Sequence, residues 1–160
     1  MERRTLLAGG ALAGAAALLA KETEAADAMI ARQFADALSA HNLDAFASLF
    51  AEDYVNHQTS AAAPPPAGVS AKAATVAFFG ARLKALPDLK VTIETTVAEA
   101  DKVAASFVYE GIQQGPYYGI DPTGKRIRFT SCDIFRVSDG KIAEHWGMGD
   151  IAGVVAQLRG

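Results

Sequence analysis

The chain has 160 residues, 51% hydrophobic and 21% charged, the balance of one globular domain with its own core rather than a disordered chain. Its formal charge of -3, with no lysine or arginine cluster beyond Arg3-Arg4 and the scattered Lys125, Arg126 and Arg128, excludes the basic footprint of a nucleic-acid binder. Cys132 is the only cysteine, which excludes an internal disulfide framework and a cysteine-based structural zinc site.

The N-terminus differs from the rest. Glu2-Arg3-Arg4 is followed by an apolar run from Leu6 to Ala20 and then by Lys21-Glu22-Thr23-Glu24, the charged, hydrophobic and polar order of an export signal. The paired arginines before Leu6-Leu7 match the twin-arginine type. A helix through that run would reach roughly 22 Å, short of the roughly 30 Å of a bilayer's hydrocarbon core, so a removable signal is expected and not a permanent membrane span. Residues 1–24 are therefore read as an export signal-like segment, giving a periplasmic or secreted protein. The alternative is a cytoplasmic protein that retains its N-terminus. Residues 25–160 form the expected domain.

From Ala25 to Ser39, Met29, Ile30, Phe34, Ala37 and Leu38 recur at three- and four-residue spacing, which predicts an amphipathic helix. His41-Asn42 breaks it, and Asn42 is placed to cap a second helix from Leu43 to Phe50. An extended Tyr54-Val55-Asn56-His57 follows. Pro64-Pro65-Pro66 forbids regular helix, so residues 58–69 are a loop. A third helix, Ala71 to Ala85, is capped by Ser70, carries Val76, Phe79 and Leu83 on one stripe, and ends before Pro87.

Beyond Pro87 the period changes from 3.6 to 2. Strands are predicted at Lys90 to Ala98, Lys102 to Gly111, Lys125 to Val137 and Lys141 to Met148. They are separated by Glu99-Ala100-Asp101, a long 113–124 loop ending in Asp121-Pro122-Thr123-Gly124, and a tight Asp139-Gly140 hairpin. Helices first and antiparallel strands afterwards give an α+β fold, a curved antiparallel sheet packed on N-terminal helices. The mouth of that half-open cone is the expected site for a small hydrophobic molecule.

Within the last strand, an unbroken alternation sets Ile142, Glu144, Trp146, Met148 and Asp150 on one face and His145 with Gly147 and Gly149 on the other. Asp150 then ends a strand whose face carries an indole, a setting that raises a carboxylate towards the range of a general acid/base. Equally, Asp150 is placed to cap the short helical segment Ile151 to Leu158. Asp133 shares a face with Phe129 and Phe135 and is either a second acid/base or an ion-pair partner of Arg136 or Arg128. His57 is either a pocket donor or a histidine satisfied by backbone. The spacing of His41, His57 and His145 makes no ligand set, so no metal is expected. Tyr117-Tyr118 either lines the pocket or forms a surface turn. With no base beside it, Cys132 is expected to be buried and inert.

Phe129-Thr130-Ser131-Cys132-Asp133-Ile134-Phe135-Arg136-Val137, Asp139-Gly140-Lys141-Ile142, Glu144-His145-Trp146 and Asp150 together resemble the closing hairpin of SnoaL-like polyketide (ester) cyclases. Asn42-Leu43-Asp44, Tyr54-Val55-Asn56-His57 and Gly119-Ile120-Asp121-Pro122-Thr123-Gly124-Lys125 fit the same family, so the resemblance runs from about Ala28 onward. It implies the cone-shaped cystatin-like, nuclear transport factor-like fold and a homodimer. It also implies cofactor-free catalysis of an intramolecular aldol closure, or related isomerase or hydrolase chemistry, on a small hydrophobic carbonyl compound. By that resemblance Asp150 is the acid/base and Asn56 and His57 are polar positioners. Trp146, Gln113, Asp133, Phe135, Tyr118 and Phe79 are the candidate substrate-binding residues. The sequence departs from the family where Ile112-Gln113 replaces a threonine-histidine pair and Ser106 replaces an arginine. The rival reading is a non-catalytic pocket protein that binds a hydrophobic ligand or a protein partner.

Overall fold

A computed structural model describes residues 29–58 and 67–160; the export signal-like segment and the three successive prolines lie outside the described residues. Helix α1 covers the described residues 29–39. It is followed by α2 (Leu43–Ser48), β1 (Phe50–Asn56), α3 (Ala71–Ala85), β2 (Lys90–Glu99), β3 (Lys102–Ile112), β4 (Arg126–Ser138), β5 (Lys141–Gly149) and α4 (Ile151–Arg159). The predicted caps form as hydrogen bonds. Asn42 Oδ1 accepts the Ala45 N–H at 2.9 Å, and Ser70 Oγ accepts the Ala73 N–H at 3.2 Å. α3 stops before Pro87 because proline offers no N–H and disfavours helical backbone in the residue ahead of it.

The strands run in the order β1-β5-β4-β3-β2 in one sheet that curves over the helices. Consecutive strands β2 to β5 pair antiparallel; short turns require this for β2–β3 and β4–β5, while β3 and β4 are joined by the long 113–125 loop. β1 adds a fifth strand that pairs parallel with β5, so the sheet is mixed where the sequence predicts a purely antiparallel one. Phe50 belongs to this strand and not to the second helix. Parallel partners are far apart in sequence and leave no turn between them, which is why local patterning does not announce this pair.

Phe34, on α1, organises the core. Its ring lies 5.1 Å from Phe46, 5.4 Å from Phe79, 5.3 Å from Phe107 and 5.2 Å from Phe135, centroid to centroid. Three helices and two strands therefore meet at one wholly buried side chain. Such tilted and edge-on pairs each add about 0.5–1.5 kcal/mol beyond simple burial.

Two turns fix the register of the sheet. Asp139 and Gly140 both have positive φ, 51° and 68°, the backbone that matches the twist of a two-residue hairpin. Ala100, in the β2–β3 turn, also has φ 53°, where its Cβ crowds the following carbonyl. Ala100→Gly is expected to raise the stability to urea unfolding by about 0.5–1 kcal/mol, relief of that crowding outweighing the freedom glycine adds to the unfolded chain. An unchanged or lower midpoint would show that the turn stores no such strain.

Candidate active site

A bulge decides which face of β5 meets the core. Val137 pairs with Ile142 and Arg136 with Glu144, so Ala143 is an extra residue and the alternation shifts there by one. Ile142 is buried, yet beyond the bulge the inward residues are His145, Gly147 and Gly149, opposite Phe135, Asp133 and Ser131. The unbroken alternation expected from sequence is thereby corrected. Trp146 and Met148 lie on the outer face, Met148 at 79% exposure.

Asp133 and His145, both buried, form the centre of the site. His145 Nε2 lies 2.7 Å from Asp133 Oδ1, and Ser131 Oγ donates to Asp133 Oδ2 at 2.5 Å. An ionised carboxylate only accepts, so the network assigns the ring N–H to Nε2, leaving Nδ1 to accept from the Tyr54 hydroxyl at 3.2 Å. Burial pushes the Tyr54 phenol up to about 12, so it keeps its proton and remains a donor at neutral pH. Gly147 makes the pair possible. A Cβ there would strike Asp133 Oδ1 and come within 2.6 Å of His145 Nε2 and 2.9 Å of Gln58 Oε1.

Asp133, with His145 behind it, opens onto a cleft of about 30 Å³, room for one or two waters. Phe78, Phe79 and Arg82 of α3 form one wall, and Tyr109 and Phe129, stacked at 4.9 Å, form another. Gln58, Tyr118, Ser131, Gly149 and Ile151 complete it. Arg82 is buried, its guanidinium 4.8–5.3 Å from the ring centroids of Phe78, Phe79, Tyr109 and Phe129. Its Nε donates to Tyr117 Oη at 2.9 Å. Burial works against this charge, but the phenol groups of Tyr117, Tyr109 and Tyr118 outweigh it and hold the cation more firmly than usual.

Of the residues singled out from sequence, Phe79, Tyr118 and Asp133 line the cleft. Asp133 pairs with His145, while Arg136 bonds to Glu144, and Arg128 lies 3.5 Å from Glu110 and 3.9 Å from Glu94. Asp150 is exposed, and its Oδ1 accepts the Gly153 N–H at 2.8 Å, capping α4. Asn56 donates to Thr75 Oγ1 at 3.3 Å and accepts the Gln58 N–H at 2.9 Å, so it braces a cleft residue from outside. His57 is neither a pocket donor nor held by backbone through its ring. It pairs with Glu144 at 2.7 Å and stacks on Trp146 at 4.4 Å. That hydrogen bond first, and Arg136 second, hold the Glu144 carboxyl below its ordinary range.

Gln113 is wholly buried but turned to the 113–124 loop. Its amide nitrogen donates to the carbonyls of Gly115, Ile120 and Asp121, and its oxygen accepts from the Thr123 N–H and hydroxyl. Phe135 packs between Phe34 and His145, in the core behind the pair. Cys132, expected to be buried, is exposed because the alternation of β4 sets it opposite Met148 on the outer face. Ser106 donates to Glu94 on that face, so its departure from the family pattern does not touch the cleft.

Sequence reasoning missed Arg82, Tyr54, Ser131, Tyr109 and Gln58, and the partnership of Asp133 with His145. Arg82 alone left a signal: it follows Phe78 and Phe79 by four and three residues, which puts a cation on the apolar stripe of α3. Among the described residues no group of three or more His, Cys, Asp or Glu could hold a metal ion, and no helix is long and apolar enough to cross a membrane.

A sequence model of the SnoaL-like polyketide cyclases matches residues 28–158. No curated protein matches the chain. Among solved structures, TsrD from Streptomyces laurentii superposes with a TM-score of 0.72 at 26% identity, over 84% of this chain and 95% of that one. IdmH, a candidate polyketide cyclase from Streptomyces antibioticus, gives 0.72 at 26% identity over 84% and 99%. AclR, a candidate hydroxylase from Streptomyces galilaeus, gives 0.72 at 24% identity over 85% and 97%, a likeness of fold.

Gly147→Ala is expected to force Asp133 and His145 apart and cost about 1–3 kcal/mol, as overpacking and a strained buried hydrogen bond do. Urea unfolding measures the loss, and the His145 ring NMR signals report the displacement. Unchanged His145 signals would show that the pair does not depend on this glycine.

Proposed function

The chain belongs to the SnoaL-like polyketide cyclase family, and we propose that it is a cofactor-free acid/base enzyme acting on a small hydrophobic carbonyl compound, by aldol-type ring closure or related isomerase or hydrolase chemistry. The observation that carries this reading is the buried Asp133 carboxylate at the cleft, both of its oxygens fixed by hydrogen bonds. A carbon between two carbonyls is acidic enough for one positioned carboxylate to take its proton. Asp133 accepts that proton; the resulting enolate carbon bonds to a second carbonyl carbon of the same molecule; the new alkoxide takes the proton back from Asp133.

His145 and Ser131 act on Asp133 as positioning residues, and Tyr54 fixes the His145 tautomer. The aromatic walls shield Asp133 from bulk water, and the cleft, about 30 Å³ as it stands, widens to admit the substrate and fold it for closure. Gln58, braced by Asn56, and Tyr118 are the polar groups at the cleft available to a carbonyl oxygen. Asp150 keeps the structural role of a cap. The rival is a non-catalytic protein that binds a protein partner, and its support is the smallness of the cleft, about 30 Å³.

Deuterium exchange at the central carbon of β-dicarbonyl compounds, followed by NMR, tests the chemistry without needing the natural product. The parent protein is expected to speed exchange, and Asp133→Asn to lose about 10²–10⁴-fold of that rate. Asp150→Asn is expected to retain the rate with a stability change of no more than about 1 kcal/mol, asparagine being a comparable cap. The reverse pattern would return the acid/base role to Asp150, and no exchange by the parent would favour the non-catalytic reading.

The reading includes a homodimer through the outer face of the sheet. Its support is a cross-strand row of Val97, Ala104, Ile134 and Trp146 beside Met148, largely apolar and exposed at Val97, Ile134 and Met148. Sedimentation at micromolar concentration is expected to give a dimer for the parent and a monomer for Ile134→Glu. A monomeric parent would dismiss this assembly.

A further inference from the structure

The cleft, about 30 Å³, is too small for a dicarbonyl compound, so one of its walls must move before Asp133 meets a substrate. Most of the walls are fixed. α3 carries Phe79 and Arg82, β3 and β4 carry Tyr109, Phe129 and Asp133, and all five are buried. Of the described residues at the cleft, two lie outside the helices and strands, Gln58 and Tyr118. The Gln58 N–H is held by Asn56. Tyr118 is half-buried, so it stands between the cleft and solvent.

The backbone under Tyr118 is built at a cost. Tyr117 and Ile120 exchange both N–H and carbonyl hydrogen bonds at 3.0 Å, closing a two-residue turn whose central residues, Tyr118 and Gly119, have φ of 49° and 73°. Such a turn favours asparagine or glycine at its first central position, and a tyrosine there crowds the following carbonyl. Conformations of this kind persist where their surroundings over-determine them, and they cluster at ligand clamps. Three contacts do so here. The Gln113 amide donates to the Gly115 and Ile120 carbonyls at the base of the turn, the Gly115 N–H donates to the Ala85 carbonyl at the end of α3, and Arg82 donates to the Tyr117 hydroxyl at 2.9 Å. The tip, in contrast, stands clear, since a Cβ on Gly119 would meet nothing within 4 Å.

We infer that Tyr118 is the gate of the cleft and the residue that sets the size of compound admitted. The base of the turn stays pinned, Tyr117 stays latched to Arg82, and the Tyr118 ring swings to the rim, where its hydroxyl remains available to a carbonyl oxygen. The space it leaves is that of one ring, continuous with the cleft at Asp133. Its contact with the Tyr117 ring, 4.5 Å between centroids, holds the gate shut and is broken on opening. Arg82 thereby has a use in the site: it anchors the fixed tyrosine beside the moving one. This deepens the acid/base reading and rests on it for the identity of the cleft as the substrate site.

Gate and catalysis are measured apart. 4-Fluorophenol, about the size of a tyrosine side chain, is titrated into the full chain. Its ¹⁹F line shapes give the association rate, and the ¹³C ring signals of Tyr118 in the unsubstituted protein give the place. The parent is expected to bind it with the Tyr118 signals shifted. Tyr118→Ala is expected to raise the association rate about tenfold, as removal of a gate open about a tenth of the time does, and Tyr118→Phe, which keeps the ring, to stay within about twofold of the parent. Tyr117→Phe, which removes the hydrogen bond from Arg82, is expected to speed amide hydrogen exchange at Ile120 about tenfold.

No binding by the parent, unmoved Tyr118 signals, or equal association rates in the parent and Tyr118→Ala overturns the gate, and the first two need no variant to fold. Unchanged amide exchange at Ile120 in Tyr117→Phe overturns the latch. Deuterium exchange of β-dicarbonyl compounds alongside equal association rates sinks the gate alone, and a faster Tyr118→Ala without deuterium exchange by the parent sinks the catalytic reading alone.

Discussion

The extra residue Ala143 in β5 governs the site. Before it, Ile142 points into the core; after it, the inward positions are His145, Gly147 and Gly149. Without the bulge, the Phe34 cluster would face Trp146 and Met148, and His145 would lie outside with Arg136. The bulge therefore converts a strand that could have finished an apolar core into one that delivers an imidazole to a buried carboxylate. Gly147 beyond it leaves the space in which Asp133 and His145 meet.

Around that pair the molecule combines two materials that compete. The phenylalanine cluster is dry and aromatic, and Phe135 belongs to it while touching the ring of His145. A polar network inside such a core destabilises the fold unless every member is satisfied, and the chain Tyr54, His145, Asp133, Ser131 meets that demand with hydrogen bonds alone. Arg82 is held by four ring faces and the Tyr117 hydroxyl, and no buried side-chain nitrogen or oxygen among the described residues lacks a hydrogen-bond partner.

The outer face follows other rules. His57, Glu144, Arg136 and Trp146 form a hydrogen-bonded and stacked group on the solvent side, and Gln113 ties down the long loop. His57, Trp146 and Gln113 read as site residues in the sequence because their types suit chemistry. Their surroundings give them structural work instead, since a hydrogen bond already made to Glu144 or to a loop carbonyl is not available to a substrate.

The sequence by itself determined the local structure. The strand ends between Lys90 and Gly149 lie within one residue of those predicted, and the caps at Asn42, Ser70 and Asp150 and the Asp139-Gly140 hairpin form because each depends on neighbours a few residues away. Asp133 was legible as an inward carboxylate, since the alternation of β4 is unbroken from Phe129 to Phe135. Three things only the tertiary structure decided: the parallel pairing of β1 with β5, the shift of alternation at Ala143, and the meeting of Arg82 with rings from three elements. The parallel pairing and the Arg82 contacts with Tyr109 and Phe129 join residues far apart in the chain, and the bulge lies within a hairpin whose turn residues do not announce it. Period and propensity carry no information about which face a bulged strand turns inward, or about what lies across a cleft from a helix.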